Sequence, residues 1–167
     1  MKRIAFAVPG DLATPTGGYG YNRRIIAELQ VLGWQIDVVS VGDGFPQPSD
    51  EQRAVALALL EALPARIPIV VDGLALGALP EAAEKIAQRG PLIALVHHPL
   101  ALEAGLSTAD SHKLFESERK ALAAARSVIV TSRATAKRLN ADYGVPPERI
   151  TVAPPGTDRA APAKGSV

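Results

Sequence analysis

The chain has 167 residues, 18 of them basic and 17 acidic, and a formal net charge of +1 at neutral pH. A chain of this length suits a single domain. Apolar residues make up 47% of it and aromatic residues only 4%, which favours a core of Ala, Val, Leu and Ile in a parallel sheet covered by helices. No run of like charge indicates a nucleic-acid surface, and the absence of cysteine excludes disulfides, thiolate catalysis and cysteine-ligated metals.

The first predicted elements are a strand at residues 2–8, a helix, and a second strand at residues 34–41. Apolar side chains recur at helical spacing between the two strands: Tyr21, Ile25, Leu29 and Leu32. Gly33 stands where a left-handed cap would end that helix. The three elements predict a βαβ unit with a right-handed crossover.

Strands and helices continue to alternate along the rest of the chain. Capping and stop signals, among them a capping box at Ser49 and Gln52, predict the later helices, over residues 51–63, 80–90, 107–125 and 132–143. Apolar runs predict the later strands, at residues 67–71, 92–96, 127–130 and 150–153. This order predicts an α/β fold, a Rossmann-like, doubly wound parallel sheet of about six strands with helices on both faces.

The most informative stretch is TPTGGYGYNRR, residues 14–24, a Pro- and Gly-rich turn between the first strand and the first helix. Five of its residues are candidate ligand contacts: Gly17, Gly18, Tyr19, Asn22 and Arg23. The paired glycines can adopt positive φ and let a ligand approach the backbone, whose N–H groups at a helix start suit an anion such as phosphate. The alternative is a turn that needs glycines only for steric reasons.

A dinucleotide site is a further alternative. Gly18 and Gly20 supply the first two glycines of G-x-G-x-x-G, but Arg23 stands at the third position. Asp43 falls about where a ribose-binding acid would be expected, so an NAD site stays open.

His97 and His98 directly follow the fourth predicted strand and are the candidate catalytic residues, because imidazole can exchange a hydrogen bond or a proton near neutral pH. Asp72 with Gly73 and Thr131 with Ser132 end other strands and are expected at the same crevice. No metal site is expected, because adjacent histidines at a strand end point to opposite faces and no third ligand is evident. Glu118 lies in an apolar helix stripe and is interpreted as a packing residue that ties down a backbone group.

Three segments carry a family resemblance. They are MKRIAFAVPGDLATPTGGYGYNRRIIAELQVLGWQIDVV, LIALVHHPLALE and ERKALAAARSVIVTSRATAKRLNADYGVPPERITVAPPGTD. Together they resemble the N-terminal domain of a retaining glycosyltransferase of the GT-B fold, the family 4 or group 1 type. The ending is the most specific part, because Pro154, Pro155, Gly156 and Asp158 match the junction to the family's second domain.

The resemblance implies that Gly17 and Gly18 belong to the loop facing the acceptor and the donor diphosphate. It also implies that a histidine contacts the transferred sugar, with His97 the better positional match and His98 the alternative. The implied activity is that of a hexosyltransferase that uses a nucleotide-diphosphate sugar as co-substrate, with no cofactor and no metal.

The expected domain organisation is a GT-B N-terminal, acceptor-side domain at residues 1–158 and a tail or linker start at residues 159–167. The donor-binding C-terminal domain is absent from the 167 residues, so we expect a fragment that is inactive alone. The alternative, from another class, is a non-catalytic Rossmann-like module that binds an anion or a protein partner.

The expected partners are a nucleotide-sugar donor, an acceptor that the sequence does not identify, and the missing second domain, with no nucleic acid. No apolar stretch is long enough to cross a bilayer, and a cytoplasmic protein is expected. Peripheral membrane association of the full enzyme and self-association of the fragment through apolar surface near Pro154 and Pro155 both stay open.

Overall fold

Six parallel strands form the centre of the fold in a computed structural model that describes residues 2–157. They are β1 (Arg3–Val8), β2 (Gln35–Ser40), β3 (Ile69–Asp72), β4 (Leu92–Val96), β5 (Ser127–Val130) and β6 (Ile150–Val152). Their order across the sheet is β2-β1-β3-β4-β5-β6, and every neighbouring pair is parallel. The predicted Rossmann-like α/β fold is therefore confirmed.

The helices are α1 (Gly17–Val31), α2 (Asp50–Glu61), α3 (Gly73–Leu76), α4 (Pro80–Arg89), α5 (Thr108–Ala124) and α6 (Arg133–Tyr143), with 3₁₀ turns at Leu100–Leu102 and Pro147–Arg149. The capping box at Ser49 and Gln52 forms with both of its hydrogen bonds. The single turn α3 was not predicted, because four residues are too few for a helical period. The predicted tail at residues 159–167 and the junction residue Asp158 lie outside the described residues.

Two apolar cores lie on opposite faces of the sheet, because successive strand residues point to opposite sides. In β1, Ala5 and Ala7 face the core covered by α2 to α6, whereas Ile4, Phe6 and Val8 face the core covered by α1. Helices therefore cover both faces, and α1 is separated from the others by the sheet.

Glu118 fixes the segment that follows β4. Its side chain is buried on α5, and its Oε2 accepts a hydrogen bond of 2.9 Å from the Leu100 amide. The other oxygen, Oε1, and the Tyr143 hydroxyl have no partner of ordinary geometry among residues 2–157. Burial raises the pKa of Glu118 to about 7, although the Leu100 amide opposes the shift. The hydrogen bond agrees with the interpretation of Glu118 as a packing residue.

Glu118 makes the free energy of unfolding depend on pH. The folded protein holds the Glu118 proton up to a pKa of about 7, whereas the unfolded chain loses it near 4.5. Stability is therefore full below pH 4.5 and falls as the pH rises to 7, by about 3 kcal/mol for this carboxyl. In Glu118→Gln that contribution is absent, so urea denaturation at pH 5 and pH 7.5 should show a smaller pH difference than in the wild type. An equal difference in both proteins would contradict this assignment.

Candidate functional site

The carboxyl ends of β1, β3 and β4 meet at one edge of the sheet, where the strand order reverses between β1 and β3. Ligands of open α/β sheets bind in the crevice at such a switch point. Three segments follow these strand ends: the loop at residues 9–16 with the start of α1, Asp72 with α3, and the pair His97 and His98. The crevice therefore brings together residues that are far apart in the sequence.

A buried chain of polar groups joins the three segments. Asn22, on the sheet-facing side of α1, is completely buried, and Asp72 is 2% exposed. Asn22 Nδ2 donates to Asp72 Oδ2 over 2.6 Å, and His97 Nε2 lies 3.1 Å from Asn22 Oδ1. The Leu74 amide donates to Asp72 Oδ1 over 2.9 Å. Because each buried group has a partner, the desolvation cost of burying them is largely offset.

This arrangement fixes which His97 nitrogen carries a hydrogen. The Asp72 carboxylate accepts hydrogen bonds and does not donate them, so the Asn22 amide must turn its NH₂ group toward Asp72 and its oxygen toward His97. His97 Nε2 must then be the donor. Asp72 Oδ2 lies 3.6 Å from the same nitrogen. Among residues 2–157, Nδ1 has no partner and is the ring atom left for a ligand.

The His97 ring is also held from its other sides. The Tyr21 ring meets it edge-on at 5.3 Å between centroids, and the Tyr21 hydroxyl donates to the Ala153 carbonyl over 2.9 Å. The Thr131 hydroxyl donates to the His97 carbonyl at 3.3 Å. Tyr21 and Thr131 thereby connect His97 to the segment after β6 and to the end of β5, where sequence reasoning expected Thr131.

Gly17 and Gly18 do not use the positive φ that glycine allows. Both belong to the first turn of α1, which Thr16 caps by accepting a hydrogen bond of 3.2 Å from the Tyr19 amide. At Gly18 the missing side chain leaves space for the His97 ring, because a Cβ atom there would lie 3.3 Å from His97 Cδ2. No atom lies within 4 Å of a Cβ built at Gly17. Their amides, at the helix start, have no intrahelical acceptor.

Three candidate contacts serve mainly inside the protein. Asn22 was expected to offer its amide to a ligand, but its side chain is buried and already bonded at both ends. Tyr19 donates its hydroxyl to the Pro9 carbonyl over 2.7 Å, and burial, followed by the charges of Asp72 and Asp43, raises its pKa. Arg23 Nη1 donates to the Leu12 and Thr14 carbonyls. Tyr19 and Arg23 therefore brace the loop before α1.

Two cavities flank the start of α1. The first, the histidine cavity, has a volume of about 750 Å³ and is lined by Thr16, Gly18, Tyr19, Gly44, Phe45, Pro46, Gln47, Asp72, Leu74, His97, His98, Leu100, Glu103, Ala104 and Leu106. The second, the junction cavity, has a volume of about 620 Å³ and is lined by Gly17, Gly20, Tyr21, Arg23, Arg24, Ile25, Ala27 and the segment at residues 154–157. The Gly17 and Gly18 turn therefore separates two sites of different chemistry.

Both histidines line the histidine cavity, but they differ in support. The His97 side chain is 24% exposed and held by Asn22, whereas His98 is exposed and its Nε2 lies 3.4 Å from the Leu102 carbonyl. His97 is thus the pre-oriented ring. Asn22 was a candidate and Asp72 was expected at the crevice, but their contact was missed because 50 residues separate them.

Two features are absent from residues 2–157, a metal-binding cluster and a membrane-spanning helix. No three side chains of His, Asp or Glu in that range lie together in a way that could hold a metal ion. The same range contains no helix whose length and apolar character would let it cross a membrane.

Comparison with known proteins identifies a family. Residues 17–161 match the family model described as Glycosyltransferase Family 4. A search of curated proteins found no match. The matched range begins at the first residue of α1 and includes Asn22, Asp72 and His97, so the whole polar chain lies within it. The match gives no support to the NAD alternative.

Gly18→Ala and Gly17→Ala form a matched pair at the start of α1. Either change removes unfolded-state entropy worth about 0.4–1 kcal/mol, but only the methyl group added by Gly18→Ala crowds the His97 ring, which must shift by a few tenths of an ångström. We expect changed His97 ring signals in NMR spectra of Gly18→Ala and nearly unchanged ones in Gly17→Ala, with the larger gain in unfolding free energy in Gly17→Ala. Equal ring signals in the two variants would show that a methyl group at position 18 does not displace the His97 ring.

Proposed function

The chain belongs to glycosyltransferase family 4, and from that premise we propose that it forms the acceptor-side half of a retaining enzyme. This enzyme would move a hexosyl group from a nucleotide-diphosphate sugar to an acceptor. The observation that carries the proposal is His97, an imidazole that lines the histidine cavity and is held by the buried Asn22 and by the Tyr21 ring.

His97 is proposed to contact the transferred sugar through Nδ1. When the ring is neutral, Nδ1 accepts a hydrogen bond from a sugar hydroxyl, because Nε2 keeps its hydrogen toward Asn22. A ring that is already oriented loses little entropy when the sugar binds, and it holds the sugar in one position relative to the acceptor. Asn22 and Asp72 act in this proposal as positioning residues, which do not touch the substrate.

The donor diphosphate is proposed to lie toward the junction cavity. Gly17, the first residue of α1, lines that cavity, and the positive end of the helix dipole favours an anion. Arg23 and Arg24 line the same cavity and add positive charge, while Arg23 also holds the loop. These groups would stabilise the nucleoside diphosphate as it leaves. The proposed reaction uses neither a cofactor nor a metal.

The proposed enzyme includes a second, donor-binding domain that closes over the crevice. The junction segment at residues 154–157 lines the junction cavity, and the Tyr21 hydroxyl donates to the carbonyl of Ala153 just before this segment. Because the Tyr21 ring also contacts the His97 ring, closure at this segment would change the position of His97. We propose that the 167 residues alone transfer sugar poorly and that the enzyme is cytoplasmic.

The test joins a family donor-binding domain after Val167 and measures release of nucleoside diphosphate from a panel of nucleotide sugars and acceptors. The fusion should release nucleoside diphosphate catalytically, and the 167-residue chain should not. In the fusion, His97→Ala should lower kcat/KM at least ~100-fold, whereas His98→Ala should lower it less than about tenfold. NMR of the product should show the anomeric configuration of the donor.

Three results would contradict parts of the proposal. Ordinary turnover by the 167-residue chain would remove the half-site interpretation, and full activity of His97→Ala would remove the role of His97. An inactive fusion whose isolated chain nevertheless binds inorganic pyrophosphate saturably would favour the alternative, a non-catalytic anion-binding module. Heat-induced unfolding of each variant controls for loss of fold.

A further inference from the structure

The histidine cavity has walls from three segments that the sequence keeps apart. The loop after β2 contributes Phe45 and Pro46, α3 contributes Leu74, and the segment after β4 contributes Leu100, Ala104 and Leu106. Glu118 holds the last of these segments through the Leu100 amide, and Gln52 packs against Gly44 under the first. The cavity therefore has a mostly apolar lining supported by hydrogen bonds behind it, as is typical of ligand sites.

The charged groups of this cavity have one sign. Of the residues that the structure describes, no Lys or Arg lines it, while two carboxylates do, those of Asp72 and Glu103. Asp72 is buried with both oxygens bonded, and Glu103 is exposed at the rim. A phosphate or carboxylate placed here would lie near the start of α1, but it would lose water without meeting a Lys or Arg side chain and would face the Glu103 carboxylate, which is unfavourable.

The polar groups of the cavity suit hydroxyls instead. The Gln47 amide, the Glu103 carboxylate and the Thr16 hydroxyl all accept hydrogen bonds from O–H groups, and Gln47 and Thr16 also donate them. The junction cavity differs, because Arg23 and Arg24 line it. Positive charge is thus confined to one side of the Gly17 and Gly18 turn.

We infer that the histidine cavity takes an uncharged amphiphile, a hydroxyl-bearing head group joined to an apolar body, and that such a molecule is the acceptor. This inference rests on the proposed function only in calling the ligand an acceptor. The head group meets Gln47, Glu103 and the histidines, and the body packs against Phe45, Leu74 and Leu106. An acceptor that carries phosphate or carboxylate is selected against by Glu103.

The test is an NMR titration of the 167-residue chain with n-octyl β-D-glucopyranoside and, separately, with octyl phosphate, each below its critical micelle concentration. The glucoside should shift the signals of Phe45, Leu74 and Leu106 saturably, and octyl phosphate should bind there at least ~10-fold more weakly. Glu103→Lys should narrow that difference at least ~3-fold. Glu61→Lys, the same charge change at an exposed end of α2 outside the cavity, should not.

The inference is overturned if octyl phosphate binds the cavity as tightly as the glucoside. It is overturned equally if neither amphiphile shifts the cavity signals, or if shifts appear only at Val31 and Leu32, the exposed apolar pair at the far end of α1. Binding requires no sugar transfer, so these results are independent of the transferase assay. An inactive fusion together with selective glucoside binding would refute the transferase and leave the cavity's preference in place.

Discussion

A hydrogen bond of 2.6 Å between the buried Asn22 amide and the Asp72 carboxylate is the constraint on which the site depends. It connects α1 to the end of β3 across the switch point of the sheet, and it forces the Asn22 oxygen toward His97. Removing one partner would leave the other buried and unsatisfied, a cost of about 1–3 kcal/mol. The same bond therefore contributes to the stability of the crevice and to the orientation of its imidazole.

Around this constraint the start of α1 separates two environments. Gly17, Arg23 and Arg24 line the junction cavity, which suits an anion, whereas the histidine cavity has apolar walls and carboxylates. His97 lines the histidine cavity, and Gly18 lacks a side chain that would crowd its ring. Membership of glycosyltransferase family 4 fits this division, because in sugar transfer the glycosyl group leaves its donor and bonds to an acceptor, and the two need separate places.

The sheet and most helices were predictable because apolar runs, Ser caps and Gly stops are local signals, as at Ser132 and Gly144. The contacts within the site were less predictable. Asn22 and Asp72 are 50 residues apart, and nothing local indicates that an amide in a helix will meet a carboxylate at a strand end. At Gly18 the sequence allows two reasons for glycine, a positive φ or a need for space, and the structure shows helical backbone packed against His97.

The most direct test measures which nitrogen of the neutral His97 ring carries hydrogen, by two-bond ¹H–¹⁵N correlation. We predict Nε2–H in the wild type. In Asp72→Asn, the new amide keeps its oxygen toward the Leu74 amide and turns its NH₂ group toward Asn22, so each bond reverses and Nδ1–H should dominate. Asp43→Asn, an exposed control nearby, should leave Nε2–H. Nδ1–H in the wild type, or no change in Asp72→Asn, would contradict the account.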